Sequence, residues 1–425
     1  MNNEDEAPGI YIKAQMAFCV IFIVLLGMFS IINLFTQGSF VFYSLAGALN
    51  RSSGLQEIRF NISEFEKTMG RTLPAGNNFI EIYAYIQKLL GKEETDNFWV
   101  VRDKNGGLSY ANFYPDDIMD MEECARRLWR LQETVKPHGT KVFFVNPPAH
   151  YIQDHFQYSP GLPYADQNFL QDSFLYHLQL LGIDFLDLRT GFSRHPESDP
   201  KDFFFHTDHH WRTEIAFTAF TEIVSWMNRT YNTGFDPEGF YRNSDNYLFK
   251  TYPQASLGSM GRAVGVNFSG LDDFTVIIPK FGNSAEFTFE PRFLETNRPE
   301  PRRGPLNEVL LYPEFLRTKN PYNTDFYAFY QGGIKPADRI INNSLPDGSK
   351  VLLIHDSYML PISVFLSPLF GEIQMIWAAN DVYKTVIDSY LQENIFDFII
   401  VMMYQGNLKL DSFYYFAEPL EAGLR

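Results

Sequence analysis

Cysteine is almost missing from this chain: of 425 residues only Cys19 and Cys124 carry a thiol. A disulfide framework therefore cannot hold the fold. With 45% apolar and 16% aromatic residues the chain does not need one, because it can bury a large core as one large domain or two. Cys19 sits in an apolar run and Cys124 on an expected helix, where a buried inert thiol is the simplest reading. Positive charge is scarce as well. The 35 Lys and Arg face 51 Asp and Glu, and the formal charge of −16 repels phosphate backbones and excludes nucleic acid as a partner. An acidic polymer would need a local basic patch to approach. Two common metal signatures, a His-Glu-x-x-His helix and a cysteine pair, are also absent.

One stretch lacks charge altogether. From Ala14 to Phe35 every residue is uncharged, and at about 1.5 Å per residue that length crosses a bilayer core of ~30 Å. No small-x-small cleavage site follows it. Residues 14–36 therefore read as an uncleaved transmembrane anchor behind a 1–13 cytoplasmic tail. Lys13 beside the span favours an inside N-terminus, and the bulk of the chain is expected outside the cytoplasmic membrane.

Beyond the span, residues 37–95 read as a juxtamembrane helical region, and residues 96–425 read as alternating strands and helices. Phe98 to Leu108 suggests a hairpin turning at Asn105-Gly106. Lys141 to Val145 is a buried-strand run closing on Asn146-Pro147-Pro148, and Ile183 to Leu188 is a short strand. Arg212 to Asn228 has helical spacing. A second block repeats the pattern: strand Val351–Ile354, helix Leu360–Leu369, strand Glu372–Trp377, helix Asp381–Leu391 and strand Phe396–Met402. Such alternation predicts an α/β fold with a mainly parallel sheet and a site at the carboxyl ends of its strands, where Asn146, Ser357 and Tyr404 fall. Residues 236–345, rich in Gly, Pro, Asn and Phe, look like a β-rich insertion.

Two segments bring chemistry. His206-Thr207-Asp208-His209-His210-Trp211 supplies an acid and three imidazoles, and the apolar run Val351-Leu352-Leu353-Ile354 stops at His355-Asp356-Ser357 before a helix-like stretch. A serine becomes nucleophilic when an imidazole takes its proton and a carboxylate orients that imidazole. In an extended segment Asp208 and His210 project to one side while His209 and Trp211 face away, which favours His210 as the base. Ser357 at a strand end is exposed, the Tyr358 amide is a candidate oxyanion donor, and Pro361 suits a first helical turn. Other readings stand beside this one. Asp-Ser at a strand end is commonly a turn and cap; His206, Asp208 and His210 also suit a metal; three histidines also suit a polar surface loop. Gly258-Ser259-Met260-Gly261-Arg262 offers a competing serine, but no buried strand precedes it as a nucleophile elbow requires.

The run Thr207-Asp208-His209-His210-Trp211 with its following helix resembles the signature of the bacterial DHHW family. That family is similar to the alginate O-acetyltransferases, of SGNH-hydrolase-like fold, and Leu352-Leu353-Ile354-His355-Asp356-Ser357-Tyr358 resembles their nucleophile segment. The resemblance runs from about Trp99 to Asn407. It implies Ser357 as nucleophile, His210 as base and Asp208 as orienting acid, with Arg262 holding a substrate oxygen and Tyr404 and Asn407 as polar contacts. His355 departs from the pattern. The resemblance further implies a membrane-anchored O-acetyltransferase acting on an extracytoplasmic polysaccharide, fed by a polytopic membrane-bound O-acyltransferase, with no metal or cofactor required. A carbohydrate acetyl esterase with the same triad, or a non-catalytic subunit binding wall polymer, are the alternatives. The five Asn-x-Ser/Thr sequons, at Asn50, Asn61, Asn228, Asn267 and Asn342, are expected by chance in such a composition.

Overall fold

The structure, a computed structural model, describes residues 13, 15–24, 26–28, 31, 76–95, 98–111, 120–150, 157–162, 168–192, 202–317, 320–379 and 387–417. The chain divides into two compact units, Met1–Tyr83 and Ala84–Arg425. In the first, residues 15–24 and 26–28 are helical with their side chains exposed. Among the described residues no helix is long and apolar enough to cross a membrane. Much of the expected span, and residues 37–75 after it, lie outside the described residues. Helix α1 (Gly76–Leu89) begins near the end of this unit.

The second unit opens with a three-stranded antiparallel sheet, β1 (Glu94–Thr95), β2 (Val100–Arg102) and β3 (Leu108–Tyr110). The β2–β3 hairpin turns as its sequence predicts, with Gly106 at φ 91°, a conformation that suits glycine. The central sheet has eight strands: β4 (Lys141–Asn146), β5 (Asp184–Asp187), β8 (Glu286–Pro291), β9 (Arg302–Pro305), β10 (Ala337–Asn342), β11 (Lys350–His355), β12 (Glu372–Trp377) and β13 (Phe398–Met402). Their spatial order is β5-β4-β13-β11-β12-β10-β8-β9. The first five are mutually parallel, while β10, β8 and β9 add an antiparallel edge.

The parallel strands are apolar on both sides because both faces are covered. Phe143, Leu353, Ile400 and Met402 point to one face, into a core with α4 (Thr213–Tyr231) and α6 (Met359–Leu366). Phe144, Leu352, Ile354 and Val401 point to the other, against α2 (Met121–Val135), α3 (Asn168–Leu180) and α7 (Ile387–Glu393). Phe143 and Phe144 are fully buried on opposite faces, each burial contributing roughly 1.5–3 kcal/mol. Cys124 lies buried in the second core.

The β-rich segment 236–345 does not stand apart from the central sheet. Only β6 (Tyr247–Ser256) and β7 (Asp272–Pro279) form a ribbon of their own, while β8, β9 and β10 extend the central sheet. The cause is backbone pairing: β10 joins the open edge of β12 over Ala337–Ile341, and β8 joins β10. The sheet is thus mixed, and of the helix expected over 381–391 the described part is α7.

Candidate active site

Strand β11 ends at His355, and the turn Asp356-Ser357 carries the chain into α6, whose eight residues are all buried. Such a helix pins the turn from below. Ser357 remains half-buried and reachable. Opposite it, the segment from Phe203 to Arg212 folds back on itself through a Phe204–Trp211 bridge, the Phe205 N–H donating to His210 at 3.2 Å and the Arg212 N–H donating to Phe203 at 2.8 Å. The acid and imidazole therefore sit at the tip of a bent loop rather than on an extended strand. They converge all the same. Trp211 is fully buried, donating to the Tyr327 hydroxyl at 3.1 Å, and its place at the entrance to α4 locks the loop to the core.

Asp208 Oδ2 lies 2.9 Å from His210 Nδ1, and His210 Nε2 lies 2.6 Å from Ser357 Oγ. A carboxylate only accepts, so Nδ1 carries the proton and Nε2 is left to accept from the serine hydroxyl. Tyr327 stacks on the imidazole with centroids 4.2 Å apart and planes 19° apart, fixing the ring. Burial alone would lower the His210 pKa, but the charges of Asp208, Asp325 and Asp356 hold it above its ordinary value. Burial would raise the Asp208 carboxyl, and the two neighbouring imidazoles instead hold it well below the usual range.

Asp272, which the sequence reading passed over, anchors the loop. It accepts from the N–H of His206 at 2.8 Å, and from the N–H and hydroxyl of Thr207 at 2.8 and 2.6 Å. Each such bond to a charged acceptor contributes about 1.5–3 kcal/mol. No local motif marks Asp272, because its partners stand some sixty-five positions earlier. Ser259, the expected weak competitor for nucleophile, instead donates to Asp208 Oδ1 at 2.8 Å. Gly258 before it passes so close that a Cβ would stand 2.2 Å from the Asp208 Cβ.

Several expected contacts are turned elsewhere. The Tyr358 N–H donates to Asp356 Oδ1 at 3.1 Å, a turn closed by the aspartate side chain, rather than facing the cleft. The Asn407 amide and the Tyr404 N–H both donate to Asp356 Oδ2, at 3.0 and 2.8 Å. Burial raises the Asp356 carboxyl against these three donors. Asn146 is fully buried between Asp187 and Gln171, and Arg262 donates to the carbonyls of Leu257 and Thr324. The polar atoms of Asn146 are thereby claimed by its neighbours, whereas Arg262 commits only Nη1 to those carbonyls and is half-buried. The Tyr404 ring does reach the site, 5.5 Å from His209. His209 does not face away as expected: its ring centroid is 4.0 Å from that of His210, and its Nδ1 lies 3.0 Å from Ser259 Oγ. His355 is buried, its Nδ1 donating to the Asp356 carbonyl at 2.7 Å, and burial lowers its pKa to about 4.

For a metal, Asp208, His209 and His210 bring three ligand atoms within 4.8 Å of one another. His206 contributes no atom to that group. Both nitrogens of His210 and both oxygens of Asp208 are already engaged in hydrogen bonds, so an ion would have to break the Ser-His-Asp line to bind.

Comparison with known proteins finds a matching family model and similar folds. Residues 111–266 match the family model described as SGNH hydrolase-like domain, acetyltransferase AlgX. No curated protein matches the chain in sequence. Among solved structures, PatB1 of Bacillus cereus with a sulfonyl adduct superposes with a TM-score of 0.58 at 18% identity, over 74% of this chain and 97% of PatB1. Another PatB1 structure gives 0.56 at 18% identity, over 74% and 98%. A DHHW family protein from Eubacterium siraeum gives 0.53 at 16% identity, over 75% of this chain and 96% of its own. At these identities the likeness is one of fold. Residues 111–266 are thus similar to the SGNH hydrolase-like acetyltransferase domain of AlgX, and the chain shares the fold of PatB1 and of a DHHW family protein.

Proposed function

We propose that the chain is a membrane-anchored O-acetyltransferase that passes an acetyl group through Ser357 to a hydroxyl of an extracytoplasmic polysaccharide. The hydrogen-bonded line from Asp208 through His210 to Ser357, at 2.9 and 2.6 Å, carries this reading. In the first half-reaction Ser357 Oγ attacks the donor carbonyl while its proton passes to His210 Nε2. The carbon–oxygen bond to the donor then breaks, and the imidazolium returns the proton to the leaving group. In the second, His210 takes the proton of a sugar hydroxyl whose oxygen attacks the acyl carbon, the bond from that carbon to Ser357 Oγ breaks, and the imidazolium returns the proton to Oγ. The Ser357 N–H has no hydrogen-bond partner among the described residues and suits the developing oxyanion, since the Tyr358 N–H is held by Asp356.

The apolar, uncharged run 14–36 supports an anchor with the domain outside, and the exposure of Met16, Phe18 and Ile23 along it agrees with a lipid environment. Acetyl-CoA is cytoplasmic, so a polytopic membrane-bound O-acyltransferase is the proposed supplier. The test uses the full chain with p-nitrophenyl acetate and, separately, an aryl sulfonyl fluoride, with intact mass read in wild type, Ser357→Ala and His210→Ala. An acetyl or sulfonyl adduct on Ser357 that both variants lose is expected. A wild type that neither turns over the ester nor gains an adduct would overturn the reading.

A further inference from the structure

Aromatic rings continue outward from the reaction centre. His209, with 23% of its side chain exposed, stands 6.1 Å from Tyr110 and 5.5 Å from Tyr404 by ring centroids. Beyond Tyr110, at 5.5 Å, lies Trp99, which is 58% exposed. The wall is braced against the reacting groups, because the Tyr110 hydroxyl lies 3.3 Å from Ser259 Oγ, the hydroxyl that donates to Asp208.

The backbone around Trp99 is held in a defined conformation. Trp99 follows Phe98, which stands at φ 64°, a left-handed conformation that a bulky residue adopts only at a cost. The Trp99 carbonyl is in turn fixed by the Ala111 N–H at 3.1 Å. An indole held in water gives up the burial it would gain in a core, which is how most tryptophans are placed. An exposed indole beside a strained turn, at the end of a ring path leading to the nucleophile, has the form of a binding platform.

The chemistry of the wall selects its ligand. Electron-rich ring faces receive the C–H faces of pyranose rings while sugar hydroxyls stay in water at the rim. A chain of net charge −16, with Asp208, Asp325 and Asp356 around the reaction centre against the guanidinium of Arg262 beside Tyr110, disfavours uronates and phosphates. We propose that Trp99, Tyr110 and Tyr404 form an acceptor subsite for an uncharged pyranose chain, which by stacking along them brings a hydroxyl to His210 and Ser357. The assignment rests on the acyl-transfer reading of Ser357.

The test is a calorimetric titration of the full chain in a non-sugar detergent with chitohexaose, with cellohexaose and with a hexauronate. It compares wild type with Trp99→Ala, Trp99→Phe and Trp129→Ala, the last replacing an indole 39% exposed on α2 as a control. At least one neutral hexasaccharide binds wild type more tightly than the hexauronate. Trp99→Ala raises its dissociation constant about two- to tenfold, the range expected for one lost aromatic contact. Trp99→Phe recovers most of that loss and Trp129→Ala changes nothing. Failure of both neutral sugars to bind, tighter binding of the hexauronate, or equal affinity in Trp99→Ala overturns the subsite. The sulfonyl adduct on Ser357, read in the same samples, separates the two ideas: sugar binding without an adduct removes the transferase reading alone, and an adduct without sugar binding removes the subsite alone.

Discussion

Asp208→Asn would expose the logic of the triad, because the structure dictates which way the new amide must lie. Oδ2 of Asp208 faces His210 Nδ1 at 2.9 Å. Oδ1 meets three donors: the His209 N–H at 2.8 Å, the Ser259 hydroxyl at 2.8 Å and the Ser259 N–H at 3.3 Å. An amide accepts only at its oxygen and donates only from its NH2. Turning its NH2 toward those donors would leave them unpaired, at about 1–3 kcal/mol for each buried group. The oxygen therefore stays with them and the NH2 faces His210 Nδ1. That nitrogen must then accept, its proton moves to Nε2, and the ring points a donor at Ser357 instead of an acceptor. The base is lost while the packing is kept. A wrong tautomer of this kind costs about 10⁴-fold in serine enzymes, which corresponds to roughly 5.5 kcal/mol of barrier. The assay follows formation of the acetyl adduct with p-nitrophenyl acetate, alongside thermal melting to confirm the fold. A fall of that order with little change in melting temperature is expected. A rate within tenfold of wild type would refute the claim that Asp208 sets the tautomer of His210.

Three further perturbations follow from the same geometry. Asp325 is exposed, accepts from the Tyr327 N–H at 3.0 Å and adds to the charges that raise His210. Because His210 works as a base only when neutral, activity falls as pH drops through its raised pKa. Asp325→Asn keeps the accepting oxygen and moves that acid limb to lower pH; an unmoved limb would show that its field does not reach the ring. Asn407→Ala removes a 3.0 Å bond to the buried Asp356 carboxylate, and denaturant unfolding should register a loss of about 1.5–3 kcal/mol. A loss indistinguishable from zero would mean water replaces the amide. Gly258→Ala leaves the backbone unstrained at φ −71°, yet its Cβ would stand 2.2 Å from the Asp208 Cβ and 2.5 Å from the Thr207 carbonyl oxygen. The loop must shift, and since misplacement by about 1 Å can cost 10²-fold, adduct formation should slow at least about tenfold; unchanged kinetics would show that the loop yields freely.

Much of the site could be read in advance because its chemistry is local in type. Asp208 and His210 stand two positions apart, and Ser357 closes an apolar run, so residue identity and strand patterning sufficed to nominate them. An extended segment is not what brings Asp208 and His210 together. The loop is bent, and what aims it is Asp272 clamping Thr207 from far along the chain. The supporting contacts were legible as polar residues but not as partners. The buried carboxylate of Asp356 draws inward the Tyr358 N–H, the Asn407 amide and the backbone N–H of Tyr404, whose ring alone reaches the cleft. A buried charge must collect donors, and which donors lie within reach depends on how the strands stack.

The sequence by itself determined the alternating strands and helices, the strand-end serine and the acid-imidazole pair, because periodicity and residue chemistry act over a few positions. The tertiary structure decided what range in sequence cannot carry. It set the antiparallel extension of the sheet by β10, β8 and β9, and gave Ser259 to Asp208 in place of any nucleophilic role. It also laid the ring path from Trp99 to His209. Hydrogen bonds and ring contacts act over a few ångströms, and only the folding of distant segments onto one edge of the sheet brings these groups within that distance.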